Sequence, residues 1–141
     1  SWFQSQSKLG NAICRFYLKD YSFALEKFHN VVKSAPDLEI EVAALIWLAQ
    51  TENALGKAEL GLKTLTKAFF RAREDRNLYS MSVALMAKIE IYLIHGKLIE
   101  AEKDLNLIDI LLPSDGDFLI RKQLEKLKER IRSGNEKKGF Q

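Results

Sequence analysis

A single cysteine in 141 residues excludes an internal disulfide, and no Asn-x-Ser/Thr sequon occurs, so the chain lacks the marks of a stapled extracellular scaffold. That points to a reducing, intracellular compartment, cytoplasmic or nuclear. Two prolines and seven glycines are too few for a loop-rich or low-complexity chain, and scarce proline favours long helices. No apolar run reaches 18 residues, because Glu52, Lys88 and Asp109 interrupt the most hydrophobic stretches, and no charged-apolar-small leader opens the chain. No membrane partner is expected. Charge of one sign is also in short supply: 22 basic against 19 acidic residues leave +3, which does not by itself argue for nucleic acid.

What the sequence does have is hydrophobic residues, 47% of the total, recurring at intervals of three and four. Leu9, Ala12, Ile13, Phe16 and Tyr17 line one face of a first helix. A second stripe, Ala24, Phe28, Val31 and Val32, starts after Asp20, whose side chain is placed to accept from the free amides of the new helix, and stops at Pro36. Asp37 restarts a third helix with Glu39 and Glu41 at its positive end and Val42, Leu45, Leu48, Ala49 and Leu55 on its buried face; Gly56 closes it. Further stripes through Leu62, Leu65 and Phe69, through Leu78, Leu85 and Ile89, and through Leu98, Leu105 and Leu112 give helices four to six. They are separated by the polar run 73–77 and by His95-Gly96. Pro113 to Asp117 is the one loop-rich cluster, after which Ile120, Leu124, Leu127 and Ile131 mark a seventh helix. Alternation with period two is rare, so the fold class is all-α.

Three of the turns repeat. Setting Lys19-Asp20-Tyr21, Gly56-Lys57-Ala58 and Gly96-Lys97-Leu98 in register aligns the small residues Ala24, Gly61 and Ala101. Four residues on stand Phe28, Leu65 and Leu105, and three further Val31, Ala68 and Ile108. This pattern resembles the tetratricopeptide repeat, a helix-turn-helix unit with a small residue early in its second helix, an aromatic or Leu after it, and often a closing proline. Pro36 and Pro113 stand at that closing position and Arg73 replaces it in the middle repeat. Leu48-Ala49 matches the family's Leu-small pair in the first helix of a repeat, whereas Asn11-Ala12 and Lys88-Ile89 depart from it, and the bulk of Ile89 implies wider packing there. The resemblance covers residues 6–113 and is closest to the long, degenerate subclass of scaffold subunits. It implies a right-handed α-α superhelix of three hairpins, over residues 2–36, 37–76 and 77–113, with a capping helix at 117–132. On this reading 1–132 is one domain and 133–141 a basic, flexible tail.

Motifs for chemistry are missing. There is no glycine-rich phosphate loop and no His-Glu-x-x-His, and His29 and His95 lack neighbours at ligand spacing, so no metal or cofactor is expected. Cys14 has no local base and reads as a small buried or semi-buried hydrophobe. Glu100, Glu102 and Asp104, with Lys97 and Lys103 close by, read as a solvated face and not as an acid-base pair. The chain is therefore expected not to be an enzyme and to have no small-molecule substrate.

Basic residues are unevenly spread. Residues 118–141 hold eight Lys/Arg and three Asp/Glu, a balance of +5, leaving fourteen basic and sixteen acidic residues, or −2, before them. Arg130, Arg132, Lys137 and Lys138 either solvate a fraying end or touch phosphate or an acidic protein, and Lys63, Lys67 and Arg71 form either a solvated convex line or a ligand patch. The apolar stripe of the seventh helix either caps a stack or joins two copies as a coiled coil.

The resemblance implies a concave groove lined by the first helix of each repeat, which receives a peptide or helix of another protein. Its positions fall on Phe16 and Tyr17, on Ile46, Gln50 and Asn53, and on Met86, Glu90 and Ile94. The subclass that grips chaperone carboxylates uses Lys, Arg and Asn where this chain has Leu9, Ile13, Trp47, Val83 and Ala87, so that ligand is not implied. Trp2, Phe3 and Trp47 are anchors if exposed. The expected function is a non-catalytic adaptor or scaffold module. Self-association, or nucleic-acid contact through the basic C-terminal segment, stands as the alternative.

Overall fold

A computed structural model describes residues 1–112 and 118–139, and within them the chain is all-α, with seven helices and no strand. They are α1 (Trp2–Tyr17), α2 (Tyr21–Ser34), α3 (Leu38–Ala54), α4 (Ala58–Glu74), α5 (Leu78–Ile94), α6 (Leu98–Leu111) and α7 (Phe118–Gly139). The expected loop at Pro113 to Asp117 lies outside the described residues. The helices gather into two compact units, Ser1–Ala84 and Leu85–Gln141, with the division inside α5.

Most helices start and stop for reasons written locally. Pro36 holds Ala35 in an extended conformation (φ −58°, ψ 127°), which ends α2 at Ser34. Asp37 then caps α3, its carboxylate accepting from the Ile40 amide at 2.9 Å. Asn77 does the same for α5 through the Ser80 amide at 3.0 Å. Asp20 does not: its carboxylate makes no capping hydrogen bond and lies 3.9 Å from Arg15 instead.

Four of the turns share one geometry. Lys19, Gly56, Arg76 and Gly96 each take a left-handed φ, of 64°, 81°, 53° and 70°. The amide after each reaches back to a carbonyl five residues earlier, Asp20 to Arg15 at 3.0 Å, Lys57 to Glu52 at 2.9 Å, Asn77 to Ala72 at 3.0 Å and Lys97 to Tyr92 at 2.8 Å. This is the Schellman closure, which satisfies carbonyls that a helix end leaves orphaned. Glycine adopts it freely at 56 and 96; Lys19 and Arg76 adopt it at a cost of about 1 kcal/mol each. The left-handed residues at 56, 76 and 96 are evenly spaced by about 20, so α4 and α5 are joined by the same device that joins the two helices of a hairpin.

In the first unit α1 packs on α2, α2 on α3 and α3 on α4, and α1 also reaches α3. Surface helices bury one stripe, Leu9 and Ala12 in α1 and Ala24, Phe28 and Val31 in α2. The more central α3 buries Ile40, Val42, Ala44, Leu45, Leu48 and Ala49 together with Thr51 and Glu52. Glu52 accepts a 2.6 Å hydrogen bond from the Thr64 hydroxyl on α4, which pairs an otherwise costly buried carboxylate. All nine positions of the sequence register are buried: the small Ala24, Gly61 and Ala101, then Phe28, Leu65 and Leu105, then Val31, Ala68 and Ile108.

In the second unit α7 packs on α6 through Ile120, Leu124, Leu127 and Ile131. It runs to Gly139, past the expected end at 132, because α6 continues to hold it. The Asn135 amide donates to Glu102 at 2.5 Å, and a Cβ on Gly134 would stand 2.9 Å from the Leu98 side chain.

Candidate partner-binding surfaces

The eight expected groove residues divide between the two units. Five belong to the first. Phe16 and Tyr17, at the end of α1, meet Trp47 of α3 with ring centroids 5.4 and 5.8 Å away, and Trp47 in turn stacks on buried Phe28 at 6.3 Å. Phe16 also meets Tyr21 edge-on at 5.4 Å. Tyr17 stays 69% exposed, so this cluster is rooted in the core and open at one end. Ile46, Gln50 and Asn53 are half-buried and, spaced by four and three, share one face of α3 beside Trp47.

Three belong to the second unit, on α5. Ile94 is 65% exposed. Glu90 accepts a 2.6 Å hydrogen bond from Arg130 of α7, so its charge is already partnered. Met86 is only 7% exposed and packs in the core, since α5 buries Met81, Ala84, Leu85, Ala87, Ile89 and Ile91 around most of its circumference. It presents almost no accessible surface, contrary to the expectation for this position.

The basic candidates are also engaged. Arg71 donates to Glu41 on α3 at 2.6 Å and pairs with Glu74 at 2.7 Å; the hydrogen bond and charge of Glu41 hold its guanidinium more firmly protonated than usual despite some desolvation. That removes it from the outer basic line, leaving Lys63 and Lys67 exposed. Arg130 pairs with Glu90 and Arg132 with Glu129, while the side chains of Lys137 and Lys138 lie outside what the structure describes. In the acidic cluster, Asp104 sits 3.7 Å from Lys88, beyond hydrogen-bond reach, and its Oδ2 has no hydrogen-bond partner. Burial pushes its carboxyl above the ordinary aspartate range, opposed by the Lys88 charge.

Cys14 is exposed, which corrects its assignment as a buried or semi-buried hydrophobe: Leu9 and Ala12 take the inward face of α1, and residue 14 is two positions further round. It lines a cavity of about 520 Å³ on the α1–α2 hairpin, whose walls combine the apolar Leu18, Phe23 and Val31, the cations Lys8, Arg15 and Lys27, and the amides Asn11 and Asn30. No motif in the sequence marks this site. Its only sequence signal is a pair of stripes at helical spacing, the polar Lys8, Asn11 and Arg15 on one helix and the mixed Phe23, Lys27 and Asn30 on the next, each ordinary until the two helices are brought together. Trp2 and Phe3 are exposed, at 52% and 76%.

Among the described residues no group of three His, Cys, Asp or Glu side chains is arranged to hold a metal ion, and no helix is long and apolar enough to cross a membrane. No family model matches the chain, and no curated protein or solved structure is similar enough to count as a match.

Proposed function

We propose that the chain is a non-catalytic protein-interaction module of tetratricopeptide type, an adaptor or scaffold segment of the cytoplasm or nucleus that takes a peptide or helix of another protein. The observation that carries this reading is the α1–α3 face of the first unit. There exposed Tyr17 lies against a Trp47 anchored on the core, with the amides of Gln50 and Asn53 along the same helix. An aromatic anchor with one open side supplies apolar contact area at little entropic cost, and amides can pair with a peptide backbone. The nine-position burial pattern supports the repeat assignment, because small residues at 24, 61 and 101 let helices approach closely where the register asks for it.

Nucleic-acid contact through α7 is the weaker reading, since Arg130 and Arg132 each already have a carboxylate partner. The test is affinity capture from cell extract with the wild-type chain and with Gln50→Arg/Asn53→Arg. Both positions are half-buried, so the double variant is first checked by thermal melting. Loss of specifically captured protein at an unchanged melt supports the groove, and full retention removes it.

A further inference from the structure

The α1–α2 cavity lies on the far side of the buried stripe from Tyr17. On α1 the inward residues Ser5, Leu9 and Ala12 separate two outward faces, with Ile13 and Tyr17 on one and Lys8 and Arg15 on the other. The two surfaces are therefore distinct within the first unit, and the cavity has a chemistry of its own. Its lining includes three cations and no carboxylate; the one acid in contact is Asp20, 3.9 Å from an Arg15 that is half exposed. Arg15 and Lys27 both stand over the Phe23 ring, 4.9 and 5.1 Å from its centroid, which holds their charges at the mouth of the groove. Leu18 in the same lining is 72% exposed and Phe23 38% exposed, so apolar surface lies open to solvent among the charges. Lys8 and Arg15 are two helical turns apart, about 10 Å along the axis.

We propose that this groove docks an acidic amphipathic helix of another protein. Carboxylates two turns apart on such a helix match the Lys8–Arg15 spacing, and its aliphatic side chains cover Leu18 and Phe23. Positive charges spread along a furrow between two helices select an elongated anionic partner over a point anion, which would need its donors to converge. Cations and exposed apolar side chains in one lining also divide the work, the charges setting selectivity and the apolar contacts supplying affinity. This site stands independently of the α1–α3 face.

Cys14, the only cysteine of the chain, is exposed in this groove and reports its occupancy. The rate of Cys14 alkylation by a maleimide is measured on the whole chain with a helical peptide of Leu at heptad a and d positions and Glu elsewhere, and with the same peptide carrying Lys for Glu. By mass action, the Glu peptide at ten times its dissociation constant slows alkylation about tenfold, the Lys peptide leaves it unchanged, and added salt reduces the protection. Arg15→Glu/Lys27→Glu abolishes protection at an unchanged circular dichroism melt, and the milder Lys8→Gln/Lys27→Gln weakens it, which keeps the test open should the charge reversal unfold the hairpin. Gln50→Arg leaves protection intact, so failure here and failure of the α1–α3 reading are told apart. Equal protection by both peptides, protection by a single-stranded oligonucleotide as strong as by the Glu peptide, protection that grows with protein concentration alone and so marks a second copy, or no protection at all, each overturns the proposal.

Discussion

Each unit has its own buried apolar core, but the side chains that surround it differ. In the first, Phe28, Leu65, Val31 and Ile40 are fully buried and an aromatic cluster runs from Phe28 through Trp47 to the surface at Tyr17. In the second, α7 adds to its apolar stripe a set of charged and polar ties, Arg130 to Glu90, Lys128 to Asp109 at 3.2 Å and Asn135 to Glu102, while Lys88 faces Asp104 between α5 and α6. The basic surplus of residues 118–141 is thus spent partly on acids of the helices beneath it. Apolar burial is insensitive to salt and pH, whereas exposed ion pairs contribute little and are screened. Both units rest on apolar burial, Ile89, Ile108 and Leu124 being fully buried in the second as well, and the second adds a small contribution from its ties that depends on salt.

The largest effect expected from breaking that contrast is at Phe28. Phe28→Ala removes a fully buried ring stacked on Trp47 and lowers the stability of the first unit by about 3–5 kcal/mol. Both tryptophans, Trp2 and Trp47, belong to that unit, so urea unfolding followed by tryptophan fluorescence isolates it. A loss below about 1 kcal/mol would show that the aromatic cluster is not what holds α2 to α3.

A smaller effect belongs to Asp104. Its carboxyl holds a proton more tightly in the folded chain than in the unfolded one, so its contribution to stability is greatest at low pH and falls as pH rises from the ordinary aspartate range through the raised value. Each unit of separation between the two values is worth about 1.4 kcal/mol. Asp104→Asn removes that slope. The difference between wild-type and variant unfolding midpoints, measured across mildly acidic pH, therefore changes sign or shrinks in this window, and a difference independent of pH would refute the assignment.

The smallest effect is at the exposed tie. Arg130→Gln breaks a pair whose side chains are 47% and 44% exposed and costs under about 1 kcal/mol, a loss that vanishes at high salt. Hydrogen exchange of α7 amides at low and high ionic strength reads it. A larger, salt-independent loss would mean that α7 is clamped by that arginine and not by Leu124 and its neighbours.

Much of the architecture was legible before any coordinates. Helix periodicity locates the seven helices of the described residues, Pro36 and Asp37 mark the boundary between α2 and α3 to within two residues, and aligning three turns picks out nine residues that are all buried. These features are local or repeat in sequence, which is why they could be read. Apart from the end of α7, which runs past 132 to Gly139, the differences concern side chains whose state is set by groups outside their own helix. Asp20 had the residue type of a cap, yet its carboxylate lies by Arg15 instead. Arg71 looked like part of a surface line until Glu41, 30 residues earlier in the chain, came within 2.6 Å. Met86 occupied an expected groove position but lies on a helix buried on most of its sides.

The sequence by itself determined the secondary structure and the inward face of the hairpins, because hydrophobic period, proline, and capping residues act within a few positions of where they stand. Tertiary structure alone decided which outward faces carry a surface that another molecule could use. A groove between α1 and α2 exists only once Lys8 and Arg15 are laid beside Phe23 and Lys27. An exposed tyrosine becomes an anchored one only once Trp47 arrives beneath it from another helix.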